Sequence, residues 1–98
     1  VNANDPYTMM DLAWIRAMLD KHEAARALMN KALQMAPDDP YTYYYDGMVL
    51  LRAGNADAAM DSLQIAVDKG YSSRMMAAEP HLEDLRDNSR FSRIVSGN

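Results

Sequence analysis

The chain has 98 residues, room for one domain and not for two. Its 49% apolar content excludes a disordered tail, and an excess of Ala, Met, Leu and Asp over Val, Ile, Thr and Phe leans to helix rather than sheet. A net charge of -4 with both signs interspersed is a poor match for a phosphate backbone or an anionic membrane, and the lack of cysteine removes disulfides, thiolate nucleophiles and Cys-based zinc sites together.

In chain order, the opening Val1-Asn2-Ala3-Asn4 has neither an initiator Met nor a signal-peptide pattern, and the expectation is a piece of a longer, cytoplasmic protein. Nowhere does an apolar run approach the ~18 residues of a membrane span. Asp5-Pro6 predicts a helix start: the carboxylate accepts from first-turn amides and proline needs no donor at the first helical position. This helix runs to about Leu19 and stops at Asp20-Lys21. A second helix follows, with small residues (Ala25, Ala32) for close approach and larger ones (Leu28, Met29, Leu33) to fill the gap; Pro37 closes it.

The pattern then starts again. Asp39-Pro40-Tyr41-Thr42 repeats Asp5-Pro6-Tyr7-Thr8 at a period of 34 residues. Carried along the chain without a gap, the same offset sets Ala24, Ala25 and Ala32 on Ala58, Ala59 and Ala66. It also sets Ala13 on Gly47, Ile15 on Val49 and Met29 on Leu63. The third helix ends near Ala53 at Gly54-Asn55, a stronger breaker than Asp20-Lys21. The fourth carries Leu63, Ile65 and Val67 and ends at Gly70, a left-handed cap. Beyond it the reading is one short helix, about Ser73 to Ala78, an interruption at Pro80, and a tail whose buried side is Leu82, Leu85, Phe91, Ile94 and Val95.

No catalytic or metal-binding constellation is present in the sequence. His22-Glu23 is followed by Arg26 where a zinc-protease helix needs a second histidine. Asp38-Asp39 lacks calcium-loop spacing and is read as a helix cap. Glu83 and Asp84 diverge on adjacent helical positions, and no serine occupies a nucleophile elbow. Arg86, Arg90 and Arg93 form at most a small basic strip, read either as a solvated face or as neutralisation of Asp84 and Asp87. No cofactor, metal or catalytic residue is therefore assigned, and the chain is not read as an enzyme.

A 34-residue helix-turn-helix unit with these small and large positions resembles the tetratricopeptide repeat family. The matching residues are Leu12-Ala13, Ala25, Met29, Ala32 and Pro37, then Tyr43, Gly47, Leu50, Gly54, Ala59, Leu63 and Ala66. The tail resembles those ending such regions in bacterial multidomain regulators and signalling proteins. The resemblance implies an all-α fold, a right-handed superhelical stack with repeats at 5–38 and 39–71 and a partial third helix and capping tail at 72–98, forming one domain.

In that family the first helices of successive units line an inner groove. The resemblance therefore places Tyr7, Met10, Trp14 and Met18 there from the first unit, and Tyr41, Tyr44, Met48, Leu51 and Arg52 from the second. Six tyrosines, one tryptophan and nine methionines are a heavy allotment for this length, and interfaces enrich these types. Two arrangements stay open: an exposed stripe, or a stripe covered by Val1–Asn4 or by the tail. Met10 and Trp14 stand where chaperone-tail binders of the family carry Lys and Asn, which argues against carboxylate capture. The implied function is a non-catalytic protein-interaction module of a larger regulatory protein, with homodimerisation through the same stripe as the alternative. Nucleic acid and membrane are not expected partners. Arg16 and Asp46, charged where the family packs apolar residues, are expected to pair across the seam between the units.

Overall fold

The computed structural model describes residues 5–96. Among them every regular element is helical: α1 (Pro6–Met18), α2 (His22–Met35), α3 (Pro40–Arg52), α4 (Ala56–Asp68), α5 (Ser73–Ala78), a 3-10 helix (Pro80–Leu85) and α6 (Ser89–Val95). Among the described residues no helix is long and apolar enough to cross a membrane. The helices pack as two antiparallel pairs, α1 with α2 and α3 with α4, and α3 lies against both helices of the first pair. The C-terminal elements close over the second pair, with α6 against α4 and α5.

The 34-residue period is repeated in backbone detail. Asp5 and Asp39 both accept a hydrogen bond from the amide two residues on, Tyr7 and Tyr41, each ahead of a proline that opens the helix. Such a cap is worth about 1 kcal/mol. At the other end, Lys21 donates to the Arg16 carbonyl and Asn55 to the Leu50 carbonyl, both at 2.9 Å. The residue before each takes a positive φ, 60° at Asp20 and 86° at Gly54. Both helices therefore end in the same left-handed turn, which recycles two otherwise orphan carbonyls. Asp20 adopts it despite its Cβ. Gly70 and Tyr71 close α4 the same way, Tyr71 donating to Ala66 at 2.9 Å.

Packing within each pair depends on small residues: Ala13, Ala17, Ala25 and Ala32 in the first and Ala59 and Ala66 in the second are fully buried. At Gly47 a Cβ would lie 2.6 Å from Leu63 Cδ2 and 2.7 Å from its Cγ. The first pair has Ala13 against an unbranched Met29 at these positions, so a methyl in one unit is traded for a γ-branch in the other. Val49 of α3 is buried in the α1–α2 core, while Trp14 and Tyr45 pack against the cores of both pairs. These three side chains join the units.

Three expectations are corrected here. Asp46 is buried at the seam, but its ion-pair partner is Arg26 of α2, and Ser62 of α4 donates to its second oxygen at 2.6 Å. Arg16 enters no ion pair among the described residues. The reason is geometric: at this level the neighbour that faces Asp46 is the second helix of the first pair, not the first. Arg90 likewise reaches Asp61 of α4 rather than Asp84 or Asp87. The tail is also more structured than one short helix. Pro80 opens the 3-10 helix, and Asn88 caps α6 by accepting from Arg90 and Phe91. Leu82, Leu85, Phe91 and Ile94 are buried and Val95 half-buried, the side expected to close the core.

Candidate functional site

The shared face of α1 and α3 is held together by rungs between equivalent positions. Tyr45 donates to the Asp11 carboxylate at 3.1 Å, and Arg52 Nη2 to the Met18 carbonyl at 3.4 Å, each across 34 residues. Tyr7 donates to Asp39, the residue that caps α3. Burial, and then the bond to Asp11, pushes the Tyr45 phenol up to about 12. The hydrogen bond to Asp39 and its charge raise Tyr7. These phenols are therefore uncharged donors at neutral pH.

The nine residues assigned to the groove divide into three groups. Met10 is fully buried in the α1–α2 core, a correction: its place on α1 turns it towards Ala25 and Met29 rather than along the inner face. Tyr44 and Met48 are also buried, each 5% exposed, in the core that Met76, Leu82, Leu85, Phe91 and Ile94 complete. The Tyr71 ring stacks on Tyr44 at 4.3 Å, and the edge of Tyr71 meets Tyr41 at 5.4 Å. Burial, then the Glu79 carboxylate beside it, raises the Tyr44 phenol far above its ordinary range. The C-terminal segment thus covers the middle of the stripe; cover by residues 1–4 lies outside the described residues. The other six stay open at least in part. Tyr7, Tyr41 and Met18 are about half exposed, at 50%, 48% and 46%. Arg52 is exposed, and Trp14 and Leu51 are half-buried.

Trp14, Met48, Leu51 and Arg52 line one cleft of about 290 Å³, which Asp20, His81 and Asp84 complete. His81 stands edge-on to the Trp14 indole, ring centroids 4.9 Å apart. The cleft therefore has an aromatic and thioether wall from α1 and α3 and a polar rim from the α1 turn and the 3-10 helix. Such a shape can hold an apolar side chain while its backbone hydrogen-bonds the rim. Neither His81 nor Asp84 is among the residues that the sequence assigns to the groove. Their one sequence signal was their place after Pro80, on a segment that had to fold back as a cap.

Among the described residues no three histidine or carboxylate side chains converge as metal ligands. Compared with known proteins, the chain matches no family model, no curated protein and no solved structure.

Proposed function

We propose that the chain is a non-catalytic protein-interaction module of the tetratricopeptide-repeat kind, a right-handed stack of two units and a cap. It holds a peptide segment of another protein against the α1–α3 face, as one part of a larger regulatory protein. The observation that carries this reading is the cleft at Trp14, Met48, Leu51 and Arg52, flanked on the same helices by exposed Tyr7, Tyr41 and Met18. Exposed aromatic and thioether side chains beside a concave anchor point are what interfaces use. The repeat reading is supported by the duplicated caps, the matched left-handed turns at Asp20 and Gly54, and rungs that join residues 34 apart.

The test is selection of binders from a random peptide library with the chain as bait. Selected peptides are expected to lose binding to Trp14→Ala and Leu51→Asp and to keep it with Ile65→Ala, which alters an exposed residue of α4. Binders indifferent to both cleft variants would refute the reading. A second reading, homodimerisation through the same face, is favoured by the half-exposed Tyr7, Met18 and Tyr41. Light scattering over a hundredfold dilution separates the two: a mass that falls on dilution selects the dimer.

A further inference from the structure

The polar rim of the Trp14 cleft carries charges that are not spent on one another. Asp20 comes from the turn that ends α1, and Asp84 from the 3-10 helix. Asp84 enters no ion pair among the described residues. Asp20 stands 3.8 Å from His22 Nε2 and keeps 74% of its side-chain surface open. Arg52 also lines the cleft, but its guanidinium donates to the Met18 carbonyl, at the negative end of the α1 dipole, and pairs with neither carboxylate. His81 is turned edge-on to Trp14 and lies 4.0 Å from Glu79. With the imidazole neutral, two carboxylates face one guanidinium, and the rim is left with an excess of negative charge.

We infer that the cleft anchors a lysine or arginine side chain of a basic partner segment; this rests on the reading of the cleft as the partner's anchor point. Size, wall and rim each point to that side chain. At about 290 Å³ the cleft sits at the floor of the range for small-molecule pockets, roughly 300–1,000 Å³, and suits one long side chain better than a whole ligand. Trp14, Met48 and Leu51 offer apolar length to a methylene stem, and the indole attracts a cation. Asp20 and Asp84 supply the counter-charge for its head. A purely apolar side chain would cover the same wall and leave both carboxylates unanswered, and an acidic one would meet Arg52 at the cost of repulsion from two aspartates. The net charge of -4 on the whole chain favours approach of a basic segment in the same sense. Asp20 also stands where the second unit has Gly54, so the turn itself does not call for a carboxylate.

The test takes the tightest peptide from the library selection, which is expected to contain a basic residue, and resynthesises it with lysine, norleucine or glutamate at that position. Each peptide is titrated into the 98-residue chain, with the fluorescence of Trp14, its only tryptophan, as the readout. Norleucine keeps the stem and removes the charge, and should weaken binding about tenfold; glutamate should weaken it about a hundredfold. Asp20→Asn and Asp84→Asn should each cost the lysine peptide about three- to fivefold more than they cost the norleucine peptide. Both positions are exposed, and asparagine tolerates the left-handed turn, so the thermal midpoint should stay within about two degrees and a lost affinity is not a folding defect. Binders that need Trp14 yet carry no basic residue, or that bind as tightly with norleucine or glutamate, would overturn this inference and leave the groove reading standing. Equal losses for the lysine and norleucine peptides in the two asparagine variants would overturn it as well. No binder at all, or binders indifferent to Trp14→Ala, would remove the groove reading and this inference together.

Discussion

Asp46 is a charge in a place that burial should forbid, and the structure accounts for it with two donors, Arg26 and Ser62, from two different helices. Removing Arg26 strands a carboxylate that is 6% exposed, so Arg26→Met is expected to cost about 3 kcal/mol, the lower end of the buried-pair range because Arg26 itself is one-third open. Asp46→Leu should cost a similar amount. The double variant, which gives this seam the residues that the repeat itself uses at Met60 and Leu12, should lose clearly less than the sum, by about 1.5 kcal/mol or more in urea denaturation. Additive losses would contradict the pairing. Gly47 poses the opposite problem, too little room. Gly47→Ala gains up to about 1 kcal/mol of helix propensity and loses about 1–3 to the contact with Leu63, a net loss. Adding Leu63→Met, which reproduces Ala13 and Met29 of the first unit, should recover most of it; no recovery would mean that the two pairs pack by different rules.

At the scale of the element, the helix ends are the most closely duplicated part of the chain. Asp20 holds at φ 60° the turn that Gly54 holds at 86°. A left-handed conformation costs a non-glycine residue about 1–2 kcal/mol, and glycine costs about 0.5–1 in the unfolded chain. Asp20→Gly is therefore expected to stabilise by about 0.5–1 kcal/mol, read as a raised urea midpoint; a fall would show that the Asp20 carboxylate matters more than its backbone. Caps and breaks were legible in the sequence because each is decided within five residues, and the period because the same local signals return 34 residues on. Asp5-Pro6, Gly54-Asn55 and the alanines at 25, 32, 59 and 66 needed no tertiary knowledge. Asp46's partner was not legible, because which helix faces it depends on how one pair sits on the next. Met10 misled for a related reason: helical spacing places it near Tyr7 and Trp14, yet a small rotation of α1 turns it into the core. The 3-10 helix was hidden by Pro80, which reads as an interruption and serves as a first residue.

Across the whole molecule the tail both completes the core and occupies the middle of the α1–α3 face, leaving the Trp14 cleft at one end and the Tyr7–Tyr41 pair at the other. Tyr44, Tyr45 and Tyr71 lie within this closure, and burial is the main cause that raises each of their phenols above the ordinary 10.0. The sign follows directly. The folded phenols hold their protons longer than unfolded ones, so the stabilisation is complete below pH 10 and is lost as pH rises through the folded value, about 12 for Tyr45. The urea midpoint should hold steady up to pH 10, the unfolded phenol's value, and fall progressively from there towards the folded value, with part of the tyrosinate absorbance appearing only on unfolding. Tyr45→Phe should soften the fall, and an unchanged profile would contradict this reading. The account rests most heavily on the claim that the α1–α3 face receives a partner at the Trp14 cleft. The direct measurement is a proton–nitrogen correlation spectrum of the labelled chain titrated with a peptide from the library selection. The account predicts shifts concentrated at Trp14, Met18, Leu51, Arg52 and His81. Shifts confined to the outer surfaces of α2 and α4, around Lys31 and Ile65, with the Trp14 indole signal unmoved, would contradict it.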